Sequence, residues 1–127
     1  MEGIFQAPSL RLFNYDWKLL LLYMENMGNP PFHFEGDLVG ISTIGSLFSL
    51  TGKLDLSRTN TKTLGTLQIV GGDLDLRDTP IESLGNLKSV GGNLIIVNTP
   101  ALNLTKKEIR TQVYIKGSII RGKQVDL

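Results

Sequence analysis

The amino-acid sequence predicts a repeat solenoid, mainly parallel β, with an N-terminal capping helix and a short helix near the C-terminal cap. Three observations predict it. A 20-residue echo begins at Leu54, Leu74 and Leu94, in LDLSRTNTKTLGTLQIVGG, LDLRDTPIESLGNLKSVGG and LIIVNTPALNL, and a fixed period of that length marks stacked units. Candidate core residues recur in step: Leu54, Leu56, Thr59, Leu64, Leu67 and Val70 return as Leu74, Leu76, Thr79, Leu84, Leu87 and Val90. The spacing departs from 20 only at the ends, running 16 from Phe34 to Leu50, 20 to Val70, 20 to Val90 and 25 to Ile115, as the atypical closing units of an array do. The 127 residues then form one domain, with a helical cap over 1–33, repeat units over 34–104 and a C-terminal helix with a closing strand over 105–127.

Each element has a local reason. A helix is expected over residues 15–27, capped by Asn14, ended by Gly28 and barred from continuing by Pro30-Pro31. Trp17, Leu20, Leu21 and Met24 fall at i, i+3, i+4 and i+7, a stripe that would cover the open end of the first turn. In the repeats the Leu-x-Leu pair has period 2, so Leu74 and Leu76 face inward while Asp73, Asp75 and Arg77 face water. Gly36, Gly52, Gly72, Gly92 and Gly117 precede the strands as tight corners, with Gly71 and Gly91 expected at positive φ. Thr79-Pro80 and Thr99-Pro100 end the strands, and Thr59, Thr79 and Thr99 form a candidate ladder of hydroxyls bonded from turn to turn. Thr105-Lys-Lys-Glu108 has capping-box spacing, which starts a helix over 106–112 before a strand over 114–120.

Composition narrows the function classes. A formal net charge of +1 gives no global pull toward nucleic acid or anionic membrane. With no cysteine there is no disulfide framework or thiolate metal site, which permits a reducing compartment. The longest apolar run, which starts at Leu19 and ends before Glu25, is far too short to span a bilayer, and the first residues lack a secretory pattern, so the expectation is an intracellular soluble chain with no membrane partner.

The segments IESLGNLKSVGGNLIIVNTPALNL, DWKLLLLYMENMGNPPFHFEGDL and KKEIRTQVYIKGSI together resemble short leucine-rich-repeat-like proteins common in tailed bacteriophages. The resemblance covers nearly the whole chain. It implies a leucine-rich-repeat-like parallel-strand solenoid and a viral source, and it carries over no functional residue. Thr61 stands where Ile81 sits, and Ile95-Ile96-Val97 replaces a polar-alternating strand. Thr79 takes the place where leucine-rich repeats usually have asparagine, which argues against a strongly curved horseshoe.

No catalytic residues, cofactor or metal site are expected. His33 is the sole histidine, flanked by Phe32 and Phe34, where a structural ring is the simpler reading than a catalytic base. Asp73, Asp75 and Asp78, with Asp55 one turn away, could hold a hard cation, but a solvated face in which Arg58 and Arg77 offset stacked carboxylates explains them more simply. Walker, dinucleotide and zinc-ligand patterns are absent. Lys106, Lys107, Arg110, Lys116, Arg121 and Lys123 make a basic close to the chain, but Tyr114 is its only aromatic, which argues against a nucleic-acid platform.

What remains is protein binding by a non-enzymatic module. The candidate surface is the outward ladder of Asp55, Ser57 and Arg58, then Asp75, Arg77 and Asp78, then Ile95, Val97 and Asn98, charged at first and apolar at Ile95 and Val97. The competing reading has the tail, 121–127, covering Ile95 and Val97. The expected role is a phage accessory protein in the cytoplasm of the infected host cell, binding a host or viral protein. The alternative is a structural or assembly component of the virion, or a self-associating protein forming a homo-oligomer through this surface or the stripe around Trp17.

Overall fold

The computed structural model describes residues 4–122, with Leu102 described only in its backbone. Expectations that fall on 123–127, including Lys123 and most of the proposed covering tail, lie outside the described residues. In chain order the strands are β1 (Phe5–Gln6), β2 (Phe32–Phe34), β3 (Leu38–Val39), β4 (Leu47–Leu50), β5 (Leu54–Asp55), β6 (Ile69–Val70), β7 (Leu74–Asp75), β8 (Ser89–Val90), β9 (Leu94–Ile95), β10 (Tyr114–Ile115) and β11 (Ile119–Ile120). Two α-helices, α1 (Trp17–Asn26) and α2 (Lys106–Gln112), accompany them, with 3-10 turns at Leu10–Phe13 and Pro100–Asn103. The strands make two sheets, six-stranded β1-β2-β4-β6-β8-β10 and five-stranded β3-β5-β7-β9-β11, and every pairing is parallel.

The register follows the sequence spacing. Ser49 pairs with Ile69, Ile69 with Ser89 and Ser89 with Tyr114, while Leu54, Leu74, Leu94 and Ile119 align in the other sheet. The chain therefore alternates between sheets and returns one ladder step further along each time. The strands are short, but backbone bonds from Leu56 to Asp75 and from Arg58 to Arg77 carry the ladder past them. Inside, Leu54, Leu56, Leu64, Val70, Leu74, Leu76, Leu84, Val90, Leu94 and Ile96 are completely buried. Regular patterning works here because inward aliphatics of successive turns stack on copies of themselves, and each turn leaves water as its neighbour arrives.

Three local expectations need correction. Gly52, Gly71, Gly72, Gly91, Gly92 and Gly117 lie outside the left-handed region. They are glycine because the turns approach too closely: a Cβ on Gly71 would run into the Thr51 carbonyl, and one on Gly91 into that of Gly71. Within the repeats the positive-φ glycines form a different column, Gly45, Gly65 and Gly85, at φ +56°, +55° and +55°, while of the corner glycines only Gly36, in the first turn, has a positive φ. The threonines also bond within their own turns: Thr59, Thr79 and Thr99 donate to the carbonyls of Leu56, Leu76 and Ile96 at 2.7, 2.8 and 2.9 Å. Each satisfies a carbonyl at the strand's end instead of tying one turn to the next.

The third correction is at the N-terminus. Asp16, not Asn14, caps α1 by accepting from the Lys18 N–H, while Asn14 and Tyr15 take left-handed conformations that end the preceding 3-10 turn. Trp17, Leu20 and Met24 are buried as the stripe requires, and Leu21 is half-buried. The Trp17 indole N–H donates to the Thr43 carbonyl at 2.7 Å, and its ring meets Phe34 edge-on at 5.4 Å. At the other end the capping box forms in both directions between Thr105 and Glu108. The closing strand is two strands, β10 and β11, one in each sheet. Among the described residues no helix is long and apolar enough to cross a membrane.

Candidate protein-binding surface

Parallel register places Val39, Asp55, Asp75, Ile95 and Ile120 in one outward column across the five-stranded sheet. Neighbouring strands lie about 4.8 Å apart, so Asp55 and Asp75 are stacked carboxylates and need neutralisation. Arg77 supplies it: its Nε and Nη2 donate to Asp75 Oδ1 at 3.2 Å and Oδ2 at 2.8 Å. Folded under that guanidinium, Asp75 is only 8% exposed. Its carboxylate in turn holds Arg77 above its ordinary pKa. Asp55 accepts from the Ser57 N–H at 2.9 Å. Partial burial pushes its pKa up, but the Ser57 hydrogen bonds and the nearby charges of Arg77 and Lys53 outweigh that and hold it below the usual value.

A second column stands at the corner that ends each strand. Arg58, Asp78 and Asn98 all have left-handed backbones, at φ +60°, +57° and +56°. Asn98 donates to Asp78 Oδ1 at 2.7 Å, and Arg58 Nε lies 3.8 Å from Asp78 Oδ2. Three exposed polar side chains are thus tied into a rail along the stack. Left-handed backbone is costly for residues other than glycine, and a strained corner repeated three times fixes the direction of these side chains.

The structure therefore brings together all eight residues singled out from the sequence, Asp55, Arg58, Asp75, Arg77, Asp78, Ile95, Val97 and Asn98. It does not leave them equally available. Ile95 and Val97 are half-buried: Ile95 is flanked by Ile120 of β11, and Gly122 lies against Val97. The more exposed aliphatics are at the two ends, Val39 at 56% and Ile120 at 38%. The column thus reads apolar, acidic, apolar. Val39 was missed because the first turn lacks the full Leu-x-Leu motif.

Val39 also borders a groove of about 410 Å³ shared with Tyr15, Trp17, Ile41 and Thr43, and the Tyr15 side chain beside it is exposed. A larger open groove of about 630 Å³ runs between α1 and the first turns, past Lys18, Leu21, Leu22, Glu25 and Gly45. The sequence reading missed both. The available signal was in KLLLLYM, which is apolar on more sides of a helix than one stripe can bury.

The other candidate chemistries are held elsewhere. His33 Nδ1 lies 2.6 Å from Ser49 Oγ on the outer side of the six-stranded sheet, but Ser49 is only 7% exposed and neither residue lines the grooves described above. The carboxylates suggested for a cation are engaged one by one: Asp73 accepts from the Asn93 N–H at 2.7 Å, Asp75 is held by Arg77 and Asp78 by Asn98. Among the described residues no group of three or more acidic or histidine side chains could hold a metal ion. Arg110 donates to the Ile115 and Gly117 carbonyls, which fixes part of the basic close to the C-terminal turn.

No protein-family model matches the chain, and no curated protein or solved structure does either. The functional reading rests on this geometry.

Proposed function

We propose that this chain is a non-catalytic protein-binding module, a capped leucine-rich-repeat-like solenoid that recognises a protein through the outer face of its five-stranded sheet. The observation that carries the reading is the pair of registered columns. A rigid acidic strip and a polar rail at fixed spacing end in exposed Val39 beside a groove of about 410 Å³. Rigid surfaces lose little entropy on binding. An apolar anchor next to ordered charges is how interfaces divide affinity from selectivity. In this reading a partner side chain enters the groove by Val39, and basic or amide groups of the partner follow Asp55 and Asp78. The accessory role in an infected cell is the biological setting proposed for it.

The test compares single variants in affinity capture from host and infected-cell lysates. Val39→Asp and Arg58→Glu are expected to lose a protein that the parent retains, whereas Ile69→Asp, on the other sheet and also exposed, keeps it. Val39 and Arg58 are preferred to the half-buried Ile95 and Val97, whose replacement by aspartate would disturb folding. Loss with Ile69→Asp but retention with Val39→Asp and Arg58→Glu would overturn the surface. Recovery of virion structural proteins alone would turn the reading from accessory factor to assembly component.

A further inference from the structure

We propose that the solvent-facing side of α1 is a self-association surface, on which α1 of a second copy of this chain packs antiparallel across a two-fold axis. Leu19, Leu22, Tyr23 and Met27 are 43, 52, 38 and 43% exposed. Leu19, Leu22 and Tyr23 lie at i, i+3 and i+4, so they form a second stripe beside that of the buried Trp17, Leu20 and Met24, and Met27 follows at the helix C-cap. Tyr23 is steadied by Phe13, whose ring centroid is 5.5 Å away. Leu12 and Tyr15, 72 and 71% exposed, extend the apolar surface beyond the helix start. Large apolar side chains concentrated on one element in this way mark a contact site more often than isolated ones do.

The charges select the occupant and its direction. Lys18 and Glu25 are seven residues apart, two helical turns or about 10.5 Å, and both line the groove on the same flank of the stripe. Both are exposed, and the ion pairs among the described residues are Arg58–Asp78 and Arg77–Asp75, which leave these two unused. In an antiparallel two-fold pair each flank meets the same flank of the other copy, reversed end to end. Lys18 of each chain then faces Glu25 of the other, and two ion pairs form about a centre near Leu22. A parallel pairing would turn that flank toward the Met27 side and leave both charges unpaired. The helix is self-complementary in one orientation only. Ten residues of helix span about 15 Å, so the contact belongs with weak, reversible interfaces that bury less than about 1,200 Å² in total.

Sedimentation equilibrium of the full chain, from micromolar to millimolar concentration, tests this. The parent is expected to show a reversible monomer–dimer equilibrium, and Leu22→Glu to stay monomeric throughout with unchanged circular dichroism. Lys18→Glu and Glu25→Lys alone are each expected to weaken the dimer about tenfold, because each breaks both symmetric pairs and sets like charges together. The double variant Lys18→Glu/Glu25→Lys should recover parental affinity, which neither a fold defect nor nonspecific apolar sticking would produce. A parent that is monomeric at all concentrations, a dimer that survives Leu22→Glu, or absence of rescue in the double variant would overturn the proposal.

Discussion

In the turns over residues 54–104, Leu54, Leu64, Val70, Leu74 and Leu84 are completely buried, and their outward neighbours are mostly aspartate, arginine, serine, threonine and asparagine. In α1, Leu20 and Met24 are buried just as fully, yet Leu19, Leu22 and Tyr23 on its other side face solvent. The turns use one apolar face per element, which is all that stacking requires. The cap helix has two, and the inner one already closes the end of the stack. Its outer stripe therefore does nothing for the folding of a single chain, while on the turns Asp75 is held by Arg77, and Asp78 by Asn98 and Arg58 of the neighbouring turns. Most of the large exposed apolar side chains therefore lie on the cap.

The largest expected difference comes from trimming a leucine in each region. Leu76→Ala removes a side chain with no exposed area and is expected to cost about 3 kcal/mol. Leu22→Ala removes a half-exposed one and should change the stability of the monomer by no more than about 0.5 kcal/mol. Urea denaturation at low protein concentration, below dimer formation, measures both. A cost at Leu22 as large as at Leu76 would mean that the outer stripe is core after all. Within the repeats, the two glycine columns give a finer contrast. Gly71→Ala forces a methyl into the Thr51 carbonyl of the previous turn, an overpacking expected to cost about 2–3 kcal/mol. Gly85→Ala meets nothing within 4 Å and suffers only its left-handed φ of +55°, about 1 kcal/mol. Equal costs would put both columns under the same backbone constraint and remove the close-approach argument.

Much of this was legible in the sequence, and the parts that were not share a cause. Spacing between equivalent residues reads directly as strand register, because in a parallel stack each turn lies on the last: the 20 residues from Leu54 to Leu74 and the 25 from Leu94 to Ile119 are ladder steps. The same spacing names Arg58, Asp78 and Asn98 as part of one outward strand face, but only the structure sets them apart as a bonded column at the corner beyond the strands. What spacing cannot convey is how close two backbones come, which is why Gly71 and Gly91 were assigned a positive φ when they are needed to avoid a carbonyl. Nor can it show which partner a hydroxyl chooses: Thr79 reaches the Leu76 carbonyl three residues back, not Thr99. The ends were harder still. Val39, Tyr15 and the outer stripe of α1 occur once each, and periodicity is silent about a residue that does not repeat.

At the C-terminal end, Thr105→Ala breaks the capping box with Glu108 and is expected to cost about 1 kcal/mol. The loss should appear first as faster amide exchange in α2, a helix of seven residues, because in a stacked array each element answers mainly to its neighbours. Faster exchange spread evenly through the central turns would instead show that the cap and the repeats unfold as one unit.

The smallest effect concerns charge, where the same division between engaged and unengaged groups can be tested. Partial burial raises the Asp55 pKa, but the Ser57 hydrogen bonds, Arg77 and Lys53 lower it by more, so the folded value lies below that of the unfolded chain. The unfolded state then binds the proton more readily. This contribution is fully present above the unfolded value, about 3.9, and is lost as pH falls through the folded one. Asp55→Asn keeps an oxygen that can accept from the Ser57 N–H but has no charge to titrate. Its stability should therefore fall less steeply than that of the parent below about pH 4, as followed by thermal melts at stepped pH. Parallel acid limbs for the parent and Asp55→Asn would mean that the Asp55 carboxylate is not held by Ser57, Arg77 and Lys53, and the acidic strip would lose its claim to be pre-organised for a partner.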